Sequence, residues 1–229
     1  MDPGLYIAAS GMLAEQVRQN QLSNNLANAS TPGYAPQQAV QSSFGALLLS
    51  NSATGQQIGT LNTGVKVSSV VAQATPTPLQ STGQPLDFGI AGAGYFAVRS
   101  TAGVRYTRDG QFQSNNAGQL TDANGNLVLG QSGQPVAVDA KGNVSPSALG
   151  LFNVPNAAAQ GDNLLSGTAS GRATGSVEQG KLNQSGVDAI QTMTDMIASL
   201  RAYQAGQSAI QSINQTMQED AASVPSLGS

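Results

Sequence analysis

Asn24-Asn25-Leu26-Ala27-Asn28-Ala29-Ser30-Thr31-Pro32-Gly33-Tyr34 decides how the rest of this chain is read. It stands at the end of one amphipathic helix pattern, and a second such pattern closes the chain. Asn and Ser side chains compete with helical backbone hydrogen bonds, and Pro32 cannot extend the helix. Pro32 fixes φ at about −65° and Gly33 tolerates positive φ, the requirement of a type II turn. The block therefore reads as a helix stop followed by a fixed turn.

Upstream, about Pro3 to Asn28, Leu5, Ala8, Met12, Leu22 and Leu26 fall at helical spacing, with Ile7, Leu13 and Val17 beside them. At the other end, about Ser185 to Asp220, Met196, Tyr203, Ile210 and Met217 recur one heptad apart. Met193, Leu200, Gln207 and Asn214 form the alternate seam at the 3–4 spacing of a coiled coil. Gln207 and Asn214 are polar within that seam, a device that fixes register at some cost in stability. Asp188 complements the helix dipole at the start, and Pro225 and Gly228 follow the end.

Ordering a helical residue costs roughly 1–2 kcal/mol of backbone entropy, whereas a well-buried Leu, Ile or Met returns about 1.5–3 kcal/mol. Neither terminal segment carries enough large apolar residues to offset its own ordering strongly. Both are expected to be marginal in the monomer and to order against other copies. Between Arg18 and Lys66 no residue is charged. Such a polar but uncharged stretch suits burial among subunits, where it is hydrogen-bonded without the cost of burying ions.

From Gly64 the composition shifts to Val, Thr and Tyr with frequent turn residues. Strands are expected at Val65–Val71, Asp87–Ala91, Tyr95–Arg99, Arg105–Arg108, Leu127–Leu129, Val136–Val138 and Leu149–Val154. Asp109-Gly110, Asn116-Ala117-Gly118, Ala123-Asn124-Gly125-Asn126 and Lys141-Gly142-Asn143 are the turn signals between them. The expected class is α+β: N- and C-terminal helices forming a coiled-coil-like axial core, with a central all-β domain. The expected divisions are helix 1–30, uncharged linker 31–64, β domain 65–183, helix 184–220 and tail 221–229.

The composition removes most chemistry. The 229 residues include no His, Cys or Trp, so the commonest general base, the best neutral-pH nucleophile and any thiolate or imidazole zinc site are missing. Only 9% of residues are charged, against roughly 25% in a typical globular protein. A net charge of −3 argues against a surface that tracks nucleic-acid phosphates. Apolar runs fall short of the roughly 20 residues a membrane span needs. Met1-Asp2-Pro3-Gly4 lacks the basic start of a secretory leader. Gly89-Ile90-Ala91-Gly92-Ala93-Gly94 is not a dinucleotide fingerprint. The loop opening at Asp122 has Leu127 where a calcium loop needs Gly, and Gly133 where it needs Glu. Neither cofactor nor metal is expected, and Tyr106, Arg108 and Asp109 are read as strand-end turn chemistry.

The block at 24–34 resembles the N-terminal signature N-N-[LI]-A-N-x-x-T-x-G-[FY] of bacterial flagellar rod and hook proteins, carried here by Asn24, Asn25, Ala27, Asn28, Thr31, Gly33 and Tyr34. Leu5 to Met12 resembles the opening of the rod proteins. Thr82-Gly83-Gln84-Pro85-Leu86-Asp87 through Gly94-Tyr95-Phe96 resembles their TGNPLD core motif, and Tyr106-Thr107-Arg108-Asp109-Gly110-Gln111-Phe112 their YTR-x-G-x-F. Gln179 to Asp188 resembles QG-x-LE-x-SNVD, and Arg201-Ala202-Tyr203-Gln204 resembles RAYE. Asn183 for Glu, Gly186 for Asn and Gln204 for Glu depart from the pattern and put in doubt any ion pair there.

The resemblance implies a non-enzymatic structural subunit of the basal-body rod, exported without a cleaved leader through the flagellar type III apparatus and placed in the shaft that crosses the periplasm. Its implied partners are copies of itself and other rod and hook proteins, with no nucleic acid and no direct membrane insertion. Leu5, Met12, Leu22, Leu26, Met193, Met196, Leu200, Tyr203, Ile210 and Met217 are the expected subunit-interface residues. Arg201-Ala202-Tyr203 leans towards the distal rod type, while Met1-Asp2 and the compact Gly161–Leu165 region lean, slightly more, towards the proximal. The alternative is a secreted surface-assembly or adhesin component with helical polymerisation tails.

Overall fold

In a computed structural model the described residues are 3–43, 47–50, 57–61, 64–72, 75–139, 142–155, 157–161 and 163–223. Expectations for Met1-Asp2, Lys141, Asp162 and the tail from 224 onward lie outside them, as do parts of the 31–64 segment. The chain is α+β and divides into two compact units.

The first unit comprises Met1–Asn24, Ala39–Val70 and Ile190–Ser229. Its elements are α1 (Pro3–Ala27), β1 (Gln37–Ser43), β2 (Leu47–Ser50), β3 (Gln57–Leu61), β4 (Val65–Ala72) and α2 (Ala189–Ser223). β1 pairs with β4, and β2 pairs antiparallel with β3. The segment expected to be a linker thus supplies three strands. Gln and Ser give β1 no strand signal of its own, and its pairing is with residues far along the chain.

α1 and α2 meet through small residues. The Ser199 hydroxyl donates to Glu15 Oε2 at 2.8 Å. A Cβ on Gly206 would come within 2.8 Å of Met12 Cγ, so glycine there admits the methionine. The covered face of α2 runs through Thr192, Met196, Ser199, Tyr203, Gly206, Ile210 and Ile213. Of Met196, Tyr203, Ile210 and Met217, expected on one face, the first three are on the covered face, while Met217, near the end of α2, is exposed. The expected alternate seam is displaced by one residue: Met193, Leu200, Gln207 and Asn214 are exposed, and Ser199 and Gly206 face inward. The cause is close approach, since helices draw together where side chains are small. The exposed Gln207 and Asn214 fix no register within the chain.

The second unit comprises Asn25–Gln38 and Val71–Ala189. Its strands are β5 (Leu79–Ser81), β6 (Phe88–Ala91), β7 (Tyr95–Ser100), β8 (Gly103–Thr107), β9 (Gln113–Ser114), β10 (Leu120–Thr121), β11 (Leu127–Leu129), β12 (Leu151–Phe152), β13 (Ala158–Ala159), β14 (Leu165–Ser166), β15 (Ser176–Gln179) and β16 (Lys181–Asn183). The main sheet runs β13-β14-β8-β7-β11-β10-β9, with β12 also on β7. β15 pairs with β6, and β16 with β5. Val136–Val138, expected as a strand, forms one isolated bridge, Ala137 to Gln119, while Val136 accepts from Leu120 N–H and donates to Val128 O.

β7 is buried on both sides, and strand alternation sorts its residues. Phe96 and Val98 enter one core cluster with Phe88, Ile90, Phe112 and Leu120. Tyr95 and Ala97 enter the other with Tyr106, Leu129 and Leu165. Phe96 and Phe112 meet edge to face with centroids 5.2 Å apart, a favoured aromatic geometry. At the β10–β11 hairpin Asp122 Oδ1 accepts the main-chain N–H groups of Asn124 and Asn126. The carboxylate holds the turn.

Candidate functional site

Four separated motifs converge within the second unit. α1 ends at Ala27, and Tyr34 N–H donates to Thr31 O across Pro32-Gly33 at 3.3 Å. Gly33 has φ +63°, which completes the type II turn read from the sequence. Gly33 N–H donates to Asn183 O at 2.9 Å, and its α-carbon lies so near the main chain of Arg108 and Asp109 that a Cβ would overlap it.

Asn25 is buried and uses its whole amide. Nδ2 donates to Gln37 O at 2.9 Å, and Oδ1 accepts from Gln37 N–H at 2.9 Å and from the Tyr34 hydroxyl at 3.1 Å. Burial raises the Tyr34 phenol above its usual range, so it remains a donor at neutral pH. Asn28 Oδ1 accepts from Thr31 Oγ1, and Asn28 O accepts from Ser185 Oγ at 2.9 Å. Gly186 N–H donates to Tyr34 O at 3.0 Å.

The later motifs close on the same place. Asn183, only 1% exposed, accepts Ile90 N–H at 2.8 Å and donates to Ile90 O at 3.0 Å. Where the family pattern has Glu, Asn supplies both a donor and an acceptor to an extended backbone. Gly180 N–H donates to Asp87 O, and Thr82 Oγ1 donates to Asp87 Oδ2 at 2.6 Å. Arg108 is buried under Tyr95 and donates to Thr75 O and Gly92 O. Burial pushes its pKa down and Tyr95 opposes this. Four stretches far apart in sequence thereby form one hydrogen-bonded clasp beside the sheet.

Of the signature residues, Asn25, Gly33 and Tyr34 are buried in the clasp, Asn28 and Thr31 are half-buried, and Asn24 and Ala27 are exposed. Leu5, Met12, Leu22, Leu26, Met196, Tyr203 and Ile210 are half-buried, while Met193, Leu200 and Met217 are exposed. Ser199, Gly206 and Ser185 were missed because small polar or glycine positions carry no hydropathy signal. Among the described residues no group of acidic side chains is placed to hold a metal ion, and no helix is long and apolar enough to cross a membrane. The arrangement offers hydrogen-bonded backbone and uncovered helix faces, which suit assembly.

Comparison with known proteins agrees. Residues 5–34 match the family described as flagella basal body rod protein, 89–160 the flagellar hook protein FlgE/F/G D1 domain, and 178–224 the flagellar basal body rod FlgEFG protein C-terminal region. The chain is 34% identical to the flagellar basal-body rod protein FlgG of Caulobacter vibrioides over 93% of its length and 96% of that protein. It is 30% identical to FlgG of Buchnera aphidicola (subspecies Schizaphis graminum), covering 96% and 98%. Identity is 29% to the flagellar hook-basal body complex protein FlhO of Bacillus subtilis, covering 95% and 97%. The chain belongs to the flagellar basal-body rod protein family, a non-enzymatic family of structural subunits of the flagellum.

Proposed function

We propose that this chain polymerises through α1 and α2 into the rod, the shaft that carries motor torque to the hook across the periplasm. The observation that carries the reading is apolar exposure on both helices: Tyr6 and Leu13 on α1, and Ile190, Met193, Ile197 and Leu200 on α2. Contiguous exposed apolar surface marks an interaction face. Export proceeds through the flagellar type III apparatus, and neighbouring rod and hook proteins complete the assembly. Of the two larger rod types, the Gly161–Leu165 sequence leans slightly towards the proximal, against the distal lean of Arg201-Ala202-Tyr203. The interface set is Leu5, Met12, Leu22, Leu26, Met193, Met196, Leu200, Tyr203, Ile210 and Met217.

Deletion and complementation test this. Cells lacking the chain should be non-motile, with basal bodies stopped before or within the rod, and the full chain should restore both. Motile cells with complete rods in its absence would overturn the proposal.

A further inference from the structure

Asn124-Gly125 is the one Asn-Gly pair in the chain. The structure sets it at the tip of the β10–β11 hairpin, with Ala123, Asn124 and Gly125 all exposed. An asparagine loses its side-chain amide when the next main-chain nitrogen reaches its Cγ. A side chain on the following residue hinders that approach, and glycine has none. A Cβ on Gly125 would meet nothing within 4 Å, so no neighbour crowds the turn. We propose that Asn124 is the site of spontaneous deamidation in this chain and that Asp122 governs its rate.

The reaction needs only water. A base removes the proton from Gly125 N, and the nitrogen attacks Asn124 Cγ. The bond from Cγ to Nδ2 then breaks, and the amide leaves as ammonia with a proton taken up from solvent. One water opens the resulting five-membered imide at either carbonyl, which leaves aspartate or isoaspartate at 124. Nothing is oxidised or reduced.

Asp122 holds the attacking nitrogen back. Gly125 N–H donates to Asp122 O at 3.0 Å, so the proton to be lost is already engaged. Asp122 Oδ1 accepts Asn124 N–H at 2.9 Å and Asn126 N–H at 2.8 Å, and Oδ2 accepts from the Asn126 side chain at 2.8 Å. These bonds fix the turn on both sides of Gly125, so attack waits for a local opening. The product also undoes the turn. The imide nitrogen carries no proton for Asp122 O, isoaspartate adds a carbon to the main chain, and either acid sets a second carboxylate near that of Asp122. Asp109-Gly110 could form the same imide by loss of water, but its turn is closed. A Cβ on Gly110 would overlap Phe88 O, and Asp109 Oδ1 accepts Gln111 N–H at 3.0 Å.

The test incubates the full chain at mildly alkaline pH, folded and in urea, and maps its peptides by mass spectrometry with enzymatic detection of isoaspartate. The peptide holding Asn124 should convert ahead of every other asparagine peptide, and several-fold more slowly in the folded chain than in urea. Asp122→Ala should raise the folded rate several-fold and leave the rate in urea unchanged, which separates a hold on the turn from an effect on the chemistry. Hydrogen exchange at Gly125 should rise in the same variant, while Phe96 and Val98 of β7 keep the parent's protection. Asp122→Ser, whose hydroxyl accepts one N–H in place of two, should fall between the two rates and serves where the alanine variant does not fold. Asn124→Gln, which would have to close a six-membered ring, should abolish conversion at 124. Conversion first at another asparagine would overturn the site. Folded Asp122 variants that convert no faster than the parent would overturn the control by Asp122.

Discussion

Asn25 holds Gln37 by both of its main-chain groups, accepting the N–H and donating to the carbonyl at 2.9 Å each. A side-chain amide thereby stands in for a strand at the exit from α1. Truncating it strands two main-chain groups and the Tyr34 hydroxyl, and each buried unsatisfied group costs about 1–3 kcal/mol. Asn25→Ala should therefore lose about 3 kcal/mol in urea unfolding of the full chain, and Tyr34→Phe about 1 kcal/mol. An Asn25→Ala midpoint indistinguishable from the parent would show that the clasp contributes nothing to stability.

Gly33 and Gly83 separate two costs that are usually confounded. Both have positive φ, +63° and +70°. A Cβ on Gly33 would run into the Arg108 main chain, whereas one on Gly83 would meet nothing within 4 Å. Left-handed backbone alone costs a non-glycine residue about 1–2 kcal/mol. Gly83→Ala should lose about that much, and Gly33→Ala roughly twice as much or more, because the Arg108 main chain must move. Equal losses would mean that the contact with Arg108 yields freely.

How much of this was legible turns on whether the signal is local. The Pro32-Gly33 turn and the Asp122 hairpin are written in residues a few positions apart, and both are found as read. α2 begins at Ala189 and not near Ser185, because Ser185 and Gly186 are engaged by Asn28 and Tyr34. Those contacts span more than 150 residues and leave no periodic trace. The inward face of α2 was displaced by one position for a related reason: Ser199 and Gly206 are chosen for size, and a reading by hydropathy passes over them in favour of Leu200. β1 likewise pairs with β4, although its sequence, mostly Gln and Ser, carries no alternating apolar pattern.

Asp109 gives the clasp a pH dependence. Burial holds its carboxyl above the ordinary value of 3.8, against opposing hydrogen bonds from Gln111 and Asn163. A folded pKa raised above the unfolded one contributes stability that is fully present below about pH 4 and is lost as pH rises through the folded value. At neutral pH the ionised group is therefore a liability. Asp109→Asn keeps an oxygen for Gln111 N–H and should raise the urea midpoint at pH 7. Its advantage should shrink as the pH is lowered through the folded value towards 4. A midpoint lowered at pH 7 and equal at pH 3 would reverse the sign.

Leu200 distinguishes folding from assembly. It is 42% exposed in the chain, so Leu200→Asp should leave the urea midpoint of the dilute protein within about 0.5 kcal/mol of the parent. In a packed intersubunit contact the same change buries an unpaired charge at a cost of about 3–5 kcal/mol, and rod assembly and swimming should fail. Ile210→Asp, on the covered face of α2, should impair the fold as well. Normal swimming with Leu200→Asp as the sole copy would remove this residue from the interface.

The assembled shaft should follow the same composition. Only 9% of residues are charged and none lies between Arg18 and Lys66, so contacts between copies must depend mainly on apolar burial and hydrogen bonds. At 1 M salt the Debye length falls to about 3 Å, which screens exposed ion pairs but leaves apolar contacts in place. Urea acts on the other class, solvating apolar and peptide groups. Isolated rods should therefore persist in molar salt at neutral pH and shorten as urea rises, as judged by electron microscopy across both titrations. Rods that dissolve in moderate salt yet resist urea would mean that ionic contacts carry the shaft, and the sparse charge of this chain would then mislead about its assembly.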